Sequence, residues 1–243
     1  MKRLRTLMSM LAVIAAVSCA KNPAAGEGQV VFVVSNEETV VDCTKSNVSD
    51  YTTLPSTEDF SIIIKDAQGK TLFDDKLSAW DSSTLLTSGT YSVTASCGDI
   101  EIEGFDKPYF YGNVSFTVVG GQTSQVSVPV SLENTIVKIE CTQNFKNYYK
   151  DYSFALKRGG EEIVSFSKEE TRAAFVDGYK FTLTAKIESE TKTYDVTREY
   201  SNLDVATAYT ILFDVTNAGG SGISITFNDQ VEEINLGDKE LNE

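Results

Sequence analysis

Apolar and polar residues alternate with a period of two along most of the chain. Tyr91, Val93, Ala95 and Cys97, for example, alternate with serine and threonine. Such alternation is typical of a strand that buries one face. It predicts strands at residues 30–34, 60–65, 72–77, 90–97, 114–119, 124–130 and 223–227. The helical period of 3.6 residues is not sustained over any ten residues, and residues 167–174 predict one or two helical turns at most. We therefore expect an all-β fold.

The second half of the chain repeats the first. FSIIIKDAQGK at residues 60–70 matches YSFALKRGGEE at residues 152–162, which is 92 positions later. GTYSVTA at residues 89–95 matches GYKFTLTA at residues 178–185, with one residue inserted. A repeat of about 90 residues built from short strands predicts two tandem antiparallel β-sandwich domains. Chance similarity between β-rich segments is the alternative.

The repeat gives predicted boundaries. An N-terminal β-sandwich is expected at residues 29–133, a C-terminal β-sandwich at residues 134–230 and an acidic tail at residues 231–243. The edge strands of a sandwich have unpaired backbone groups that invite pairing with another chain. Residues 30–34 and 223–227 lie near opposite ends and are candidates to be lent to a neighbouring subunit. The alternative is that both strands complete their own domains.

The N-terminus has the layout of a secretory signal peptide. Lys2, Arg3 and Arg5 precede an apolar run at residues 7–17, which is shorter than the roughly 20 residues that a membrane-spanning helix needs. Cys19 follows at the expected cleavage point, an arrangement that resembles the lipobox of bacterial lipoproteins. We expect a lipoprotein signal peptide at residues 1–18, acylation of Cys19 and a tether at residues 19–28. An ordinary signal peptide with an incidental cysteine is the alternative.

Charge and composition narrow the classes of function. The 243 residues include 35 acidic and 21 basic side chains, for a net charge of −14, and loss of the three N-terminal cations takes this to −17. Such an acidic surface repels nucleic acid, so no nucleic-acid partner is expected. The chain has no histidine, the usual general base and zinc ligand. We expect no catalytic residues, no metal and no cofactor.

Two aromatic features are candidates for contact with a ligand or partner. Trp80 is the sole tryptophan, and Tyr109, Phe110 and Tyr111 form the densest aromatic cluster. Successive strand residues face opposite sides, so at least one ring of the cluster should be exposed, where it suits a glycan or a second protein. The alternatives are a tryptophan that plugs the end of a sandwich and an aromatic strand covered by its own loop.

The cysteines beyond Cys19 do not predict a disulfide framework, because three remain at wide spacing. Cys97 and Cys141 each end the apolar face of a predicted strand, which indicates buried thiols. Cys43 lies in a polar stretch and is the candidate for a reactive or paired thiol.

Several motifs resemble a family of Bacteroidales outer-membrane lipoproteins with an uncharacterised, fimbrillin-like domain. They are residues 60–77, LTSGTYSVTA at 86–95, KPYFYG at 107–112, FTVVGGQT at 116–123, NTIVKIE at 134–140 and NFKNYYKDY at 144–152. The resemblance implies paired transthyretin-type sandwiches, some of which polymerise into fimbriae or serve as anchors and tips. One departure is that residues 40–60 hold no arginine, where such fimbrial subunits are often matured by proteolysis.

Together with the resemblance, which implies the outer membrane, these observations predict a non-catalytic lipoprotein with a structural or adhesive, fimbrillin-like role. The cell surface is the expected side of that membrane, and the periplasmic face is the alternative. The expected partners are the membrane, through the lipid, and other fimbrial subunits, host proteins or glycans. The alternative is a glycan-binding lipoprotein of a polysaccharide uptake system, with Trp80 and residues 109–111 exposed on one face.

Overall fold

The structure, a computed structural model, describes residues 26–36, 47–216, 222–227 and 230–235. The predicted signal peptide, Cys19, Cys43 and residues 20–25 of the tether lie outside these ranges. The described residues form seventeen strands and one short α-helix, which confirms the predicted all-β class. Within them, no helix has the length and hydropathy to cross a bilayer.

The strands follow one another through short connections, some of which contain single turns of 3₁₀ helix. In chain order the elements are β1 (Glu27–Asn36), β2 (Ser61–Asp66), β3 (Thr71–Lys76), β4 (Leu86–Thr87), β5 (Gly89–Cys97), β6 (Gly104–Phe105), β7 (Phe110–Val118), β8 (Thr123–Leu132), β9 (Thr135–Cys141), α1 (Gln143–Tyr148), β10 (Asp151–Arg158), β11 (Glu161–Phe166), β12 (Ala174–Val176), β13 (Lys180–Glu188), β14 (Thr193–Ser201), β15 (Ala208–Val215), β16 (Gly222–Phe227) and β17 (Gln230–Asn235).

The helix does not lie where the sequence pattern placed helical turns. Residues 167–173 form a turn and irregular chain that lead into β12, which begins at Ala174. Helix α1 begins instead after Thr142, whose Oγ1 accepts a hydrogen bond from the Phe145 backbone N–H at 3.2 Å. Phe145 is fully buried. An N-terminal cap and one buried ring therefore secure a helix that is too short to show a period.

The order of paired strands is similar in the two halves. The first half forms a sheet in the order β3-β2-β5-β7-β8-β1-β4, and the second forms the sheets β11-β10-β13-β14 and β17-β16-β15-β9-β12-β6. Hairpin β2–β3 corresponds to hairpin β10–β11. Each hairpin has a register irregularity, after Ile64 and after Leu156, again 92 positions apart. The recurrence of such a local irregularity supports duplication over chance similarity.

Two strand pairs differ from the expected antiparallel arrangement. β1 pairs with β8 and β9 pairs with β15 in parallel. Parallel neighbours need a long connection. In both cases at least five intervening strands supply that connection, which alternation along a single strand cannot reveal.

Two clusters of buried side chains form the core. Phe60 and Phe110 lie in the first, and Phe154 and Phe213 in the second. The clusters do not divide cleanly at residue 134, because Ile136, Ala173 and Phe175 belong to the first. In addition, β6 of the first half pairs with β12 of the second. The halves thus share buried side chains and a sheet where they meet, and the domain bounds at residues 29–133 and 134–230 stay a prediction.

The two strands proposed for exchange differ in how their edges are paired. β16 pairs with β15 on one side and with β17 on the other, which favours the alternative that it completes its own half. Residues 30–34 of β1 pair with β8, but only Glu27 and Gly28 pair with β4, so the other edge of residues 30–34 has no strand partner among the described residues. β17 also corrects the predicted acidic tail, because residues 231–235 continue the sheet and Ile234 packs against the second core cluster. Residues 236–243 lie outside the described part of the chain.

Candidate functional site at the junction of the two halves

A cleft opens where loops from both halves converge, and we call it the junction cleft. It has a volume of about 290 Å³. The first half contributes residues before and within β7 and after β8, and the second half contributes the β12–β13 and β14–β15 loops. The lining residues are Ile100, Tyr109, Tyr111, Glu133, Asp177, Gly178, Tyr179 and Val205.

The aromatic cluster predicted from the sequence divides between this cleft and the core. Phe110 is fully buried and packs edge-on against Phe60, with ring centroids 6.5 Å apart. Its candidacy for ligand contact was therefore wrong, because the ring fills the first core cluster. Alternation along β7 turns Tyr111 outward, with 37% of its surface exposed. Tyr109 is half-buried, and its ring centroid lies 6.3 Å from that of Tyr111. The expectation of at least one exposed ring holds for Tyr111.

Asn134 holds in place two segments that line the cleft. Its side chain is fully buried, and Oδ1 accepts a hydrogen bond from the Tyr109 backbone N–H. The Glu133 N–H donates to the Tyr109 carbonyl oxygen at 2.9 Å. The Asn134 carbonyl oxygen accepts from the Ala206 N–H, also at 2.9 Å. Through these bonds, the buried Asn134 connects the segment around Tyr109 in the first half to the β14–β15 loop of the second.

The opposite wall carries the most exposed apolar side chain of this region. Tyr179 follows Gly178, whose φ of 91° is accessible to glycine at little cost, and 73% of Tyr179 is exposed. The Tyr179 carbonyl oxygen accepts from the Leu203 N–H at 3.1 Å. In the adjacent loop, Thr135 Oγ1 donates to the Asp204 carbonyl oxygen at 2.9 Å. These bonds hold the two loops of this wall beside each other.

A charged clamp fixes the Asp177 end of the wall. Arg158 donates from Nη1 and Nη2 to the two carboxylate oxygens of Glu103, at 2.7 Å and 2.9 Å. Glu103 also accepts from the Asp177 backbone N–H, and Arg158 Nη2 donates to the Asp177 carbonyl oxygen. Glu103 belongs to the first half, while Arg158 and Asp177 belong to the second. Since the Glu103 side chain is 10% exposed, this bidentate pair is partly shielded from water.

The cleft combines phenols with carboxylates. Glu133 and Asp177 are the ionisable carboxyl groups of the lining, and none of its described residues is a lysine or an arginine. Burial raises the pKa of the Tyr109 phenol, with smaller contributions from Tyr111, Glu133 and Asp99. Tyr109 therefore keeps its proton at neutral pH and remains able to donate a hydrogen bond. The arrangement presents ring faces, hydroxyl donors and carboxylate acceptors to solvent.

Trp80 takes no part in the cleft. Its Nε1 donates to the Val30 carbonyl oxygen at 3.0 Å, and its ring makes edge contacts with Phe32 and Phe73 at centroid distances of 5.4 Å and 5.2 Å. These contacts place the ring against β1 at the margin of the first core cluster. This is the position expected of a tryptophan that closes an end of the core.

Four residues of the site were not predicted from the sequence, namely Glu133, Asn134, Asp177 and Tyr179. Asn134 stood at the predicted domain boundary, and Tyr179 follows the repeated glycine that matches Gly89. Those signals identify loops but do not reveal that the loops of the two halves meet.

Cys97 and Cys141 are both half-buried free thiols. In the described ranges, no group of histidine, cysteine, aspartate and glutamate has the arrangement of a metal site.

Comparison with known proteins identifies a family. A fimbrial assembly protein from Parabacteroides distasonis is 8% identical, with a TM-score of 0.48, over 72% of this chain and 90% of that one. The fimbrial anchor protein Mfa2 from Porphyromonas gingivalis is 8% identical, with a TM-score of 0.38, over 86% of this chain and 99% of that one. Likeness at this level carries no argument about fold or function. No curated protein matches the chain. Residues 26–237 match the family model described as Domain of unknown function (DUF4493), and the chain belongs to that family.

Proposed function

We propose that this protein is a non-catalytic adhesive protein of the cell surface, with a fimbrillin-like structural role, that makes contact through the junction cleft. In this proposal, lipid on Cys19 holds the N-terminus to the outer membrane, and the two halves are tandem sandwich domains of the transthyretin or immunoglobulin type. Gly26, the first described residue, comes seven positions after Cys19. The tether is therefore short, and the first half would lie near the membrane.

The gathering of exposed apolar side chains in the cleft is the observation that carries this proposal. Tyr111, Tyr179 and Val205 are 37%, 73% and 42% exposed, and all three line the same cleft. Large apolar side chains scattered singly over a surface need no explanation. A cluster rimmed by polar groups is typical of an interaction site. The buried anchor at Asn134 and the clamp of Glu103 and Arg158 then hold that cluster in a fixed shape.

The chemistry of the cleft supports binding over catalysis. A glycosidase needs one carboxyl group in an apolar environment that keeps it protonated beside a second, ionised carboxylate. Here Asp177 is exposed and Glu133 is half-buried. The described lining also offers no cysteine, serine or lysine as a nucleophile, and the chain offers no histidine to activate one. The groups present suit hydrogen bonding and stacking.

Adhesion by cells that display the full chain tests the proposal. Such cells should be retained on an epithelial monolayer above the level of cells without the protein, and the double variant Tyr111→Ala/Tyr179→Ala should lose most of that excess. Tyr148→Ala is the matched control, because Tyr148 is 41% exposed and lies outside the cleft. Surface labelling must show equal display of all three chains. Undiminished retention of the double variant would overturn the proposal.

The second candidate function is a glycan-binding lipoprotein of a polysaccharide uptake system. The pairing of tyrosines with carboxylates in one cleft favours it, since sugars are bound by such groups. The two functions differ in the fate of the bound ligand, which is imported in one case and stays in place in the other. If uptake is the role, a strain with the double variant should grow poorly on a polysaccharide while its adhesion to cells stays unchanged.

A further inference from the structure

We infer that the ligand of the junction cleft is an uncharged carbohydrate, bound through the end of its chain. This inference rests on the proposed function in one respect, namely that the cleft is the contact surface. It adds the chemical class of the ligand, which is argued from the rings, the charges and the size of the cleft.

The tyrosines supply apolar surface of a kind that sugar rings match. A pyranose has a face of C–H groups and a rim of hydroxyls, so it stacks on an aromatic face while its rim forms hydrogen bonds. Tyr179 on one wall and Tyr109 and Tyr111 on the other offer rings from both halves. Their phenol groups add donors at the edge of the same surface.

The carboxylates supply acceptors for sugar hydroxyls. In the described part of the chain, no lysine or arginine forms an ion pair with Glu133 or Asp177. Asp177 is held through its backbone, by Glu103 and Arg158, which leaves its carboxylate to face solvent. Carboxylates accept hydrogen bonds from hydroxyls and do so more strongly than neutral acceptors.

The same charges exclude acidic sugars. A uronate, sialate or sulfate would have to approach two carboxylates with no cation in the described lining to offset them. Like charges brought together in a partly desolvated site disfavour binding. Arg158, which lies close behind Gly178, is already paired with Glu103. The net charge of −14 acts in the same direction over longer distances.

Size and rigidity favour a short sugar over a peptide. A cleft of about 290 Å³ lies at the lower end of the roughly 300–1,000 Å³ usual for ligand sites. That volume suits one or two terminal rings. A protein or peptide partner needs roughly 1,000 Å² or more of contact surface, or a strand edge to extend. The pinned loops also reduce the conformational entropy that a small ligand has to offset.

A glycan array probed with the full chain tests the inference. Neutral oligosaccharides should be retained, and their uronic, sialylated and sulfated counterparts should not. Tyr179→Ala should weaken retention by about tenfold or more because a stacking ring is lost, whereas Tyr179→Phe should keep most of it. Tyr148→Ala should behave like the parent chain. Circular dichroism on each variant separates loss of binding from loss of folding.

A charge variant gives the inference a second arm. Glu133→Gln/Asp177→Asn keeps the shape of the cleft and removes both negative charges, so acidic glycans should gain affinity relative to neutral ones. Unchanged selectivity would contradict the charge argument. Binding of an oligolysine peptide with no binding of any neutral glycan would overturn the inference, yet leave the proposed function intact if adhesion still depends on Tyr111 and Tyr179. Adhesion that is indifferent to both tyrosines would remove the proposed function and the inference together.

Discussion

Asn134 shows how one buried side chain connects two halves of a chain. Its Oδ1 and its carbonyl oxygen accept hydrogen bonds from Tyr109 and Ala206, which lie on opposite sides of the junction. Its Nδ2 has no partner among the described residues. An unpaired buried donor costs free energy. Asn134 therefore stabilises the junction through its two acceptor oxygens, although its unpaired Nδ2 costs free energy.

Asn134→Ala should lower the free energy of unfolding by about 1–2 kcal/mol, because the Tyr109 N–H loses its acceptor while the orphaned Nδ2 also disappears. Urea denaturation measures this change. Asn113→Ala is the control, since the Asn113 amide bonds to Thr94 Oγ1 at the exposed surface. Its effect should stay within about 0.5 kcal/mol. Equal stability of the two variants would argue against an anchoring role for Asn134.

At the scale of elements, Arg158 at the end of β10 and Glu103 just before β6 form the best-shielded ion pair across the junction. The Glu103 side chain is 10% exposed and the Arg158 side chain 35%. Both guanidinium nitrogens that contact Glu103 do so within 2.9 Å. A pair with this geometry contributes more than an ordinary surface pair.

A double-mutant cycle with Glu103→Gln and Arg158→Gln should give a coupling energy of about 1–2 kcal/mol in the free energy of unfolding. The comparison is the pair Lys138–Glu140, whose side chains are 36% and 45% exposed. Its cycle, with Lys138→Gln and Glu140→Gln, should give about 0.5 kcal/mol or less. Equal coupling energies in the two cycles would mean that shielding from water does not strengthen the ion pair of Glu103 and Arg158.

The loop between β11 and β12 carries a second link between the halves. Arg172 donates from Nε and Nη2 to the carboxylate of Glu170 at 3.0 Å and 2.9 Å, and from Nη1 to Asp106 of the first half at 2.8 Å. Its guanidinium also lies 4.8 Å from the centre of the Phe105 ring. Hydrogen bonds from the Arg172 side chain, more than any other contact, lower the pKa of Glu170 from 4.5 to about 2.

This pKa predicts a pH dependence of stability. A carboxyl group that titrates lower in the folded chain than in the unfolded chain stabilises the fold above its unfolded pKa, here 4.5, and loses that contribution as pH falls towards about 2. Glu170→Gln should therefore lose less stability than the parent chain between about pH 5 and about pH 2. Arg172→Gln should flatten the curve in the same way because it removes the cause. Parallel curves for the three chains would contradict this assignment.

The sequence pattern located most strands but not their partners. β2, β5, β8 and β16 lie where alternation predicted them, because alternation reports which face of a strand is buried. The first residues of β7 were missed, since Tyr109–Tyr111 and Gly112 do not alternate in polarity. The parallel pairs and the sharing of β6 between halves were also missed. Those features depend on contacts between residues far apart in sequence, for which a single sequence gives no pattern.

The lack of a sequence pattern for distant contacts also explains why only part of the candidate site was predicted. The aromatic run at residues 109–111 indicates Tyr111, and the presence of a single tryptophan indicates Trp80. Neither property says which loops meet. Tyr179 and Asp177 come to the cleft through hydrogen bonds to Leu203 and Glu103. Without those bonds in view, each resembles an ordinary exposed loop residue.

At the scale of the whole molecule, the two halves repeat a plan and differ where they meet. The hairpin, its irregularity and the parallel pair recur, but β12 and β6 have no counterparts that join the first half to a preceding unit among the described residues. We propose a duplicated unit that gained a connecting strand as the explanation of both facts. Neither half alone supplies both walls of the junction cleft, so the cleft exists only where the halves meet.

The proposed anchor is the remaining whole-molecule prediction. Cells given an alkyne analogue of palmitate should label the full chain, and the label should disappear in Cys19→Ser, because a thiol at the cleavage point is the acceptor. Cys97→Ser and Cys141→Ser are the controls, since burial is the main factor that raises the pKa of both thiols and keeps them protonated. The chain should also leave the membrane fraction in Cys19→Ser, since acyl chains contribute about 0.8 kcal/mol per buried CH₂ group. A labelled, membrane-bound Cys19→Ser chain would place the anchor elsewhere, whereas an unlabelled parent chain would mean that the signal peptide is of the ordinary kind.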